Sequence, residues 1–180
     1  MGNRSDGRLV VNIWAGIDPG NEGALVLLYE NGQIEFHDAP TAIVKSGKRS
    51  RTVLVPQEMA SQLEYFTLES YSLHVYVEKV SSMPKQGIAS SFNFGMGYGL
   101  WIGILAGLSI PYTLVTPARW KKEMMAGMGK EKEASCVRAA QLFPHASGQL
   151  QRPKRGGGVI YLDGRGDALL LAALCKKEMP

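Results

Sequence analysis

The chain has 180 residues, 45% of them apolar and 20% charged, with a formal charge of +4. One ordinary domain with a real core fits that length and composition, which excludes wholesale disorder and two comfortable domains. The small basic surplus permits nucleic-acid binding without requiring it.

Residues 1–8 carry no leader-like pattern and read as a flexible remnant ahead of a single folded unit at 9–177. Residues 9–17 are rich in β-branched side chains and predict a first strand, stopped by Asp18-Pro19-Gly20. An extended run resumes at 24–29. Asn31-Gly32 then suits a type I′ turn, because both residues tolerate positive φ, and 33–37 completes an antiparallel meander. Residues 45–51 are basic and polar and predict a mobile surface loop. Pro56 opens a helix to about Ser70, with Met59, Leu63 and Phe66 on one face.

A fourth strand at 73–77 ends on Glu78, and a helix follows over 88–107. The uncharged stretch 86–118 resembles a short membrane span at its centre, but Asn93, its Ser and Gly residues and Pro111 argue against one. Gly95, Gly99, Gly103 and Gly107 recur every four residues and share a helical face. Each costs helix stability, so close approach of another backbone explains the row best. Tight packing on the protein's own sheet is the first expectation and a subunit interface the second.

Residues 111–115 predict a fifth strand. Thr116-Pro117 suits an N-cap with proline at N1, opening a short helix through Trp120. Residues 131–143 read as a helix broken by Pro144, and 149–158 as a polar, glycine-rich loop. Asp163 stands just before or at the start of a final helix carrying 169–174. The whole predicts an α/β fold, a mixed five-stranded sheet covered by helices. Cys136 and Cys175 have no ligand-like spacing and read as small buried groups in a reducing compartment, with a structural zinc disfavoured.

Four acidic residues stand out by position. Asp18 and Glu78 end two strands, and Asp163 and Asp167 share a helical face if both are helical. A helix N-terminus would favour their ionised forms, and a cluster of like carboxylates calls for a compensating cation. Hard divalent ions prefer such oxygens, and two of them could hydrolyse a phosphodiester. Each acid also has a plain structural reading: a turn signal for Asp18, a strand end for Glu78, a helix cap for Asp163. Basic residues supply a second line: Lys48, Arg49, Arg51, Lys85, Arg119, Lys121, Lys122, Lys130, Lys132, Lys154 and Arg155. They could neutralise phosphates, or simply be a solvated surface. Phe92, Phe94 and Tyr98 could stack on unpaired bases, although core packing is the expectation for at least two of them.

The stretches GIDPGNEGALVLL, YVEKVSSMPKQG, SSFNFGMGYGLWIGILAGL, IPYTLVTPARWKKEM and DGRGDALLLAAL together resemble the RuvC-type Holliday junction resolvases, above all their plant chloroplast form. The likeness runs from about Ala15 to Leu174. It implies an RNase H-like fold, a homodimer, and paired symmetric nicks across a four-way DNA junction. It also implies two Mg2+ or Mn2+ ions on Asp18, Glu78, Asp163 and Asp167, and a lysine, Lys130 or Lys132, near the scissile phosphate. The family's familiar bacterial form spaces its last two acids three apart, whereas here they are four apart, which turns them differently on a helix. The resemblance further implies a chloroplast nucleoid location, with any transit peptide outside this chain. Competing readings are a junction-binding protein without catalysis, a nuclease of the same fold acting on another nucleic acid, and an ATP-handling relative. The last would need a second glycine-rich phosphate grip and a longer chain.

Overall fold

The computed structural model describes residues 4–5, 8–47, 49–68, 70–81 and 87–180. The flexible remnant expected at 1–8 falls for the most part outside them, as do Lys48 and Lys85. Val11–Asp18 (β1), Ala24–Tyr29 (β2) and Ile34–Asp38 (β3) form an antiparallel meander. Thr41–Ser46 (β4) and Arg49–Leu54 (β5) pair as a separate hairpin, followed by the helix Pro56–Glu64 (α1). Tyr71–Glu78 (β6) lies parallel beside β1. The long helix Ile88–Gly107 (α2) leads to Tyr112–Val115 (β7), parallel beside β6. Pro117–Met124 (α3) and Ala134–Leu142 (α4) come next. A short hairpin, Gln151–Pro153 (β8) with Val159–Tyr161 (β9), precedes the final helix Asp163–Glu178 (α5). The central sheet runs in the order β3-β2-β1-β6-β7, the mixed five-stranded sheet that the sequence predicts.

Strand periodicity decides which side chains meet which helix, because alternate residues face opposite sides of a sheet. Ile13, Ala15 and Ile17 of β1 join Val75 and Val77 of β6 in a core closed by Met59, Leu63, Trp101 and Leu105 of α1 and α2. The opposite parity, Trp14 and Tyr76, faces a second core built on Trp120, Met124, Cys136 and Leu169–Leu171. Asp18 and Glu78 share that second parity, so both acids are directed to the α5 side. Gly16 lies between Trp14 and Asp18 on the same side. A Cβ there would meet the carbonyl oxygen of Ala168 and stand 2.6 Å from the nitrogen of Ala172. The absence of a side chain at residue 16 is what lets α5 cross β1 in backbone contact. Leu169, Leu170, Leu171 and Leu174 are fully buried, and each such leucine contributes about 1.5–3 kcal/mol.

Several expectations need correction. The loop expected at 45–51 is mostly strand: Ile43, Val44, Thr52 and Val53 are β-branched, and the two runs pair in register from Thr41↔Leu54 to Ser46↔Arg49. Lys45, Arg49 and Arg51 stand exposed on this hairpin, with Gly47 at positive φ near the turn. Part of the loop expected at 149–158 is the strand β8, turned back by Gly156, Gly157 and Gly158, all at positive φ. The turn after β2 does not have two positive-φ residues. Only Gly32 has φ 88°, while Gly32 N–H donates to Tyr29 O and Tyr29 N–H to Gln33 O, giving a longer turn than type I′. α1 gives way at Glu64 to a 3-10 turn over Tyr65–Thr67 rather than running to Ser70. α3 continues past Trp120 to Met124, since both bury on one face, and α4 starts at Ala134 rather than 131.

The glycine row of α2 overturns its first expectation. A Cβ at Gly95, Gly99, Gly103 or Gly107 would meet nothing within 4 Å, so the row faces away from the protein's own sheet. Gly97, outside the row, is the close contact: its Cβ would lie 2.7 Å from Pro19 O and 2.9 Å from a Leu54 methyl. Both cysteines are buried, and burial pushes their thiols up to about 11 for Cys136 and about 12 for Cys175. No helix among the described residues is long and apolar enough to cross a membrane.

Candidate functional site

The turn that follows β1 is compact. Gly23 N–H donates to Gly20 O, and a Cβ on Gly23 would run into Asp18 O. Gly20 N–H donates to Asp18 Oδ1 at 3.3 Å, which fixes one carboxylate oxygen. The first turn of α5 packs on this same turn, because a Cβ on Gly164 would meet Glu22 O and stand 2.7 Å from Gly23 Cα. Two glycine-permitted contacts therefore carry Asp163 and Asp167 to Asp18. Glu78, at the end of the parallel neighbour β6, completes the group.

The electrostatics register that proximity. Burial, with Glu78, Asp167 and Asp163 adding repulsion, pushes the Asp18 carboxyl up to about 7. Burial also raises Glu78, helped by Asp167, and raises Asp167, helped by Asp163. For Asp167 burial outweighs the helix-end stabilisation expected from the sequence. Three opposing contacts keep the ionised forms accessible. Trp120 Nε1–H donates to Glu78 Oε1 at 3.2 Å, the Ser135 hydroxyl hydrogen-bonds Asp167, and the Lys121 ammonium lowers both acids. Trp120 and Ser135 are functional neighbours that sequence reasoning missed. Lys121 is among the predicted phosphate contacts, yet its charge acts on Glu78 and Asp167, and its ammonium lies 5.1 Å from the Trp120 ring centroid.

A cleft of about 540 Å3 opens beside these acids, lined by Lys121, Lys130, Lys132, Ser135, Asp163 and Asp167 among others. Lys132 Nζ stands 3.4 Å from Asp163 Oδ2, and Lys130 lines the same cleft. A second hollow of about 600 Å3 flanks the other side of the turn, lined by Gly20, Asn21, Glu22, Ser90, Asn93 and Phe94. Of the three aromatic residues, only Tyr98 joins the core. Phe94 is half-buried by the hollow, and Phe92 is 70% exposed.

The remaining basic residues are dispersed. Arg49 and Arg51 stand exposed on the β4–β5 hairpin, and Lys154 and Arg155 at the turn of β8–β9. Lys122 is exposed on α3. Arg119 is committed elsewhere, donating to Glu178 Oε2 at 2.7 Å near the far end of α5.

All four acids supply hard oxygen donors, and their mutual repulsion, with Asp18 the most strained toward protonation, is what a divalent cation relieves. The donor chemistry fits such an ion. Among the described residues, no group of three or more His, Cys, Asp or Glu side chains stands close enough together to hold a metal ion as it is.

A mixed five-stranded sheet, with acids ending its two adjacent parallel strands and a helix crossing them to bring two more, is an RNase H-like α/β architecture. One solved structure shares this fold. RuvC of Thermus thermophilus overlays with a TM-score of 0.50 at 16% identity, covering 94% of this chain and 96% of that one. The T. thermophilus RuvC solved with a Holliday junction substrate gives 0.49 at the same identity and coverage. No family model matches the chain. A stretch of 102 residues, 57% of this chain, is 31% identical to the chloroplastic Holliday junction resolvase MOC1 of Chlamydomonas reinhardtii. That match spans 11% of the algal protein, a small part of its length.

Proposed function

We propose that this chain is a divalent-metal-dependent endonuclease that resolves four-way DNA junctions by paired symmetric nicks, working as a homodimer. Residues 9–177 form its nuclease unit. The observation that carries the reading is the convergence of Asp18, Glu78, Asp163 and Asp167 on one side of the sheet, beside a lysine-lined cleft. The sequence likeness to an algal junction resolvase supports the substrate class, and its chloroplastic description supports a plastid location.

In this reading the four carboxylates would hold two Mg2+ or Mn2+ ions, which would supply the acidity that activates a water and offsets charge on the departing 3′-oxygen. Three of the four carboxylates are aimed by a neighbour: Asp18 by Gly20 N–H, Glu78 by the Trp120 indole and Asp167 by Ser135. Lys121, Lys130 and Lys132 place positive charge around the cleft where the phosphodiester enters. Arg49, Arg51, Lys154 and Arg155 on the two exposed hairpins take backbone phosphates of the arms, which supplies affinity without sequence preference. Phe92 is free to stack on an unpaired base. The products carry 5′-phosphate and 3′-hydroxyl ends. Two subunits present one centre to each strand of matching polarity.

The test is nicking of a synthetic immobile junction beside linear duplex and RNA–DNA hybrid, in Mg2+ or Mn2+, with wild type and Asp18→Asn. Paired cuts in the junction alone, lost in the variant while binding survives, are expected. Preferential hybrid cleavage would replace the substrate and keep the chemistry. Tight junction binding with no cutting, across varied junction sequences, would replace the enzyme by an architectural DNA-binding protein.

A further inference from the structure

Asp38 and Arg165 stand outside the four acids and join the elements that carry them. Asp38 ends β3 opposite Ala24, and Ala24 is opposite Asp18, so one cross-strand row links Asp38 to Asp18. Arg165 lies on α5 between Asp163 and Asp167. Its Nε–H donates to Asp38 Oδ1 at 2.6 Å and its Nη2–H to Oδ2 at 2.7 Å. Its Nη1–H donates to Gln149 O at 2.9 Å, and the guanidinium stands 5.7 Å from the Phe36 ring centroid. Three of its five N–H groups are thus engaged within the protein.

The first turn of α5 needs such an anchor. Its N-cap, Leu162, makes no side-chain cap, and the turn brings two acids toward a third that repels them. The contacts at Gly164 and Gly166 set how near the turn can come, but they exert no pull. A bidentate fork to the sheet edge does pull, and it fixes direction as well as distance. As a half-exposed pair, with Arg165 21% and Asp38 61% accessible, it adds little to global stability, so local placement is its main effect.

We propose that Asp38 and Arg165 are positioning residues of the acidic site: their fork holds the first turn of α5 against the cross-strand row ending in Asp18, so that Asp163 and Asp167 meet Asp18 and Glu78. The inference rests on the proposed nuclease function only for its catalytic consequence.

The experiment compares Arg165→Gln, Asp38→Asn, their double variant and Arg165→Lys with wild type. It measures amide exchange over residues 163–168, Mn2+ affinity by calorimetry without DNA, and kcat and KM on a synthetic junction. Each single change should speed exchange in that turn, weaken Mn2+ about tenfold and lower kcat about tenfold with KM unchanged. The double variant should be no worse than Arg165→Gln, since that change alone already removes the fork. Arg165→Lys should not recover, because an ammonium cannot make the fork. The melting temperature, read alongside, should move by less than about 4 °C. Wild-type exchange and Mn2+ affinity in Asp38→Asn would overturn the proposal. So would recovery by Arg165→Lys, or a rise in KM alone for Arg165→Gln, which would make Arg165 a phosphate contact. If wild type cuts no junction, the nuclease reading fails, and amide exchange and Mn2+ affinity still decide the positioning role.

Discussion

Two long helices flank the sheet, α5 on the face that carries the acids and α2 on the other, and their small residues meet opposite surroundings. On the α5 side, Gly16, Gly164 and Gly166 are each filled to contact by a neighbouring backbone. On α2, Gly95, Gly99, Gly103 and Gly107 face open space, although the same helix buries Trp101 and Leu105 completely on its inner face. Glycine therefore has two meanings in one molecule. In the first region it lets charged groups approach that would otherwise stay apart. In the second it leaves a surface without a partner among the described residues.

The contrast is broken most severely at Gly16. Gly16→Val would drive a branched side chain into the Ala168–Ala172 backbone of α5, with no flexible neighbour to yield. The expected loss is about 5 kcal/mol or more, the lower end of a whole domain's stability, so circular dichroism should find the variant largely unfolded. A folded protein with an unchanged urea midpoint would mean that α5 does not cross β1 so closely.

Asp18→Asn tests what that closeness costs. A carboxyl raised from 3.8 to about 7 on folding destabilises the fold wherever it is ionised. The penalty is absent below about pH 4, grows as pH rises toward 7, and is complete above the folded pKa. Removing the charge should stabilise the metal-free protein at pH 8 by up to about 4 kcal/mol and leave it unchanged near pH 3.5. Unfolding curves in EDTA at the two pH values check the sign. A loss of stability at pH 8 would show that Asp18 is held by attraction.

Trp120→Phe is smaller in effect. It keeps the buried ring and removes the N–H that meets Glu78, at an expected cost of about 1.5–3 kcal/mol for a bond to an ionised group. Mn2+ affinity should fall with it. Unchanged affinity and stability would release Glu78 from its assigned neighbour.

The sequence makes the sheet and the placement of the acids legible and leaves their neighbours hidden, for a physical reason. Strand runs at 9–17 and 73–77 show themselves by β-branched content and end on Asp18 and Glu78, but the parallel register that puts both acids on one side appears only in the paired strands. Asp163 and Asp167 are local in the same way, one helical turn apart. Trp120 and Glu78 are 42 positions apart, and Arg165 and Asp38 are 127 apart. No periodicity connects such pairs, so only the packed chain reveals them. The β4–β5 hairpin is hidden for another reason: its basic residues mask two short β-branched runs, Ile43-Val44 and Thr52-Val53. The α2 glycines show the limit from the other direction, because a period of four marks a shared face without saying what covers it.

That row also gives the smallest effect and the sharpest use of the comparison. In an exposed helix, Gly99→Ala and Gly103→Ala should each stabilise the monomer by up to about 1 kcal/mol, because alanine is the better helix former and meets nothing. In the proposed homodimer, an α2 face buried against a second copy would bring a partner backbone to these positions, and the added methyl groups would hold it off. The double variant should then melt higher than wild type at concentrations where both are monomers, while its dimer dissociates at about tenfold higher concentration by light scattering. A higher melting temperature with unchanged self-association would place the subunit contact on another face of the protein.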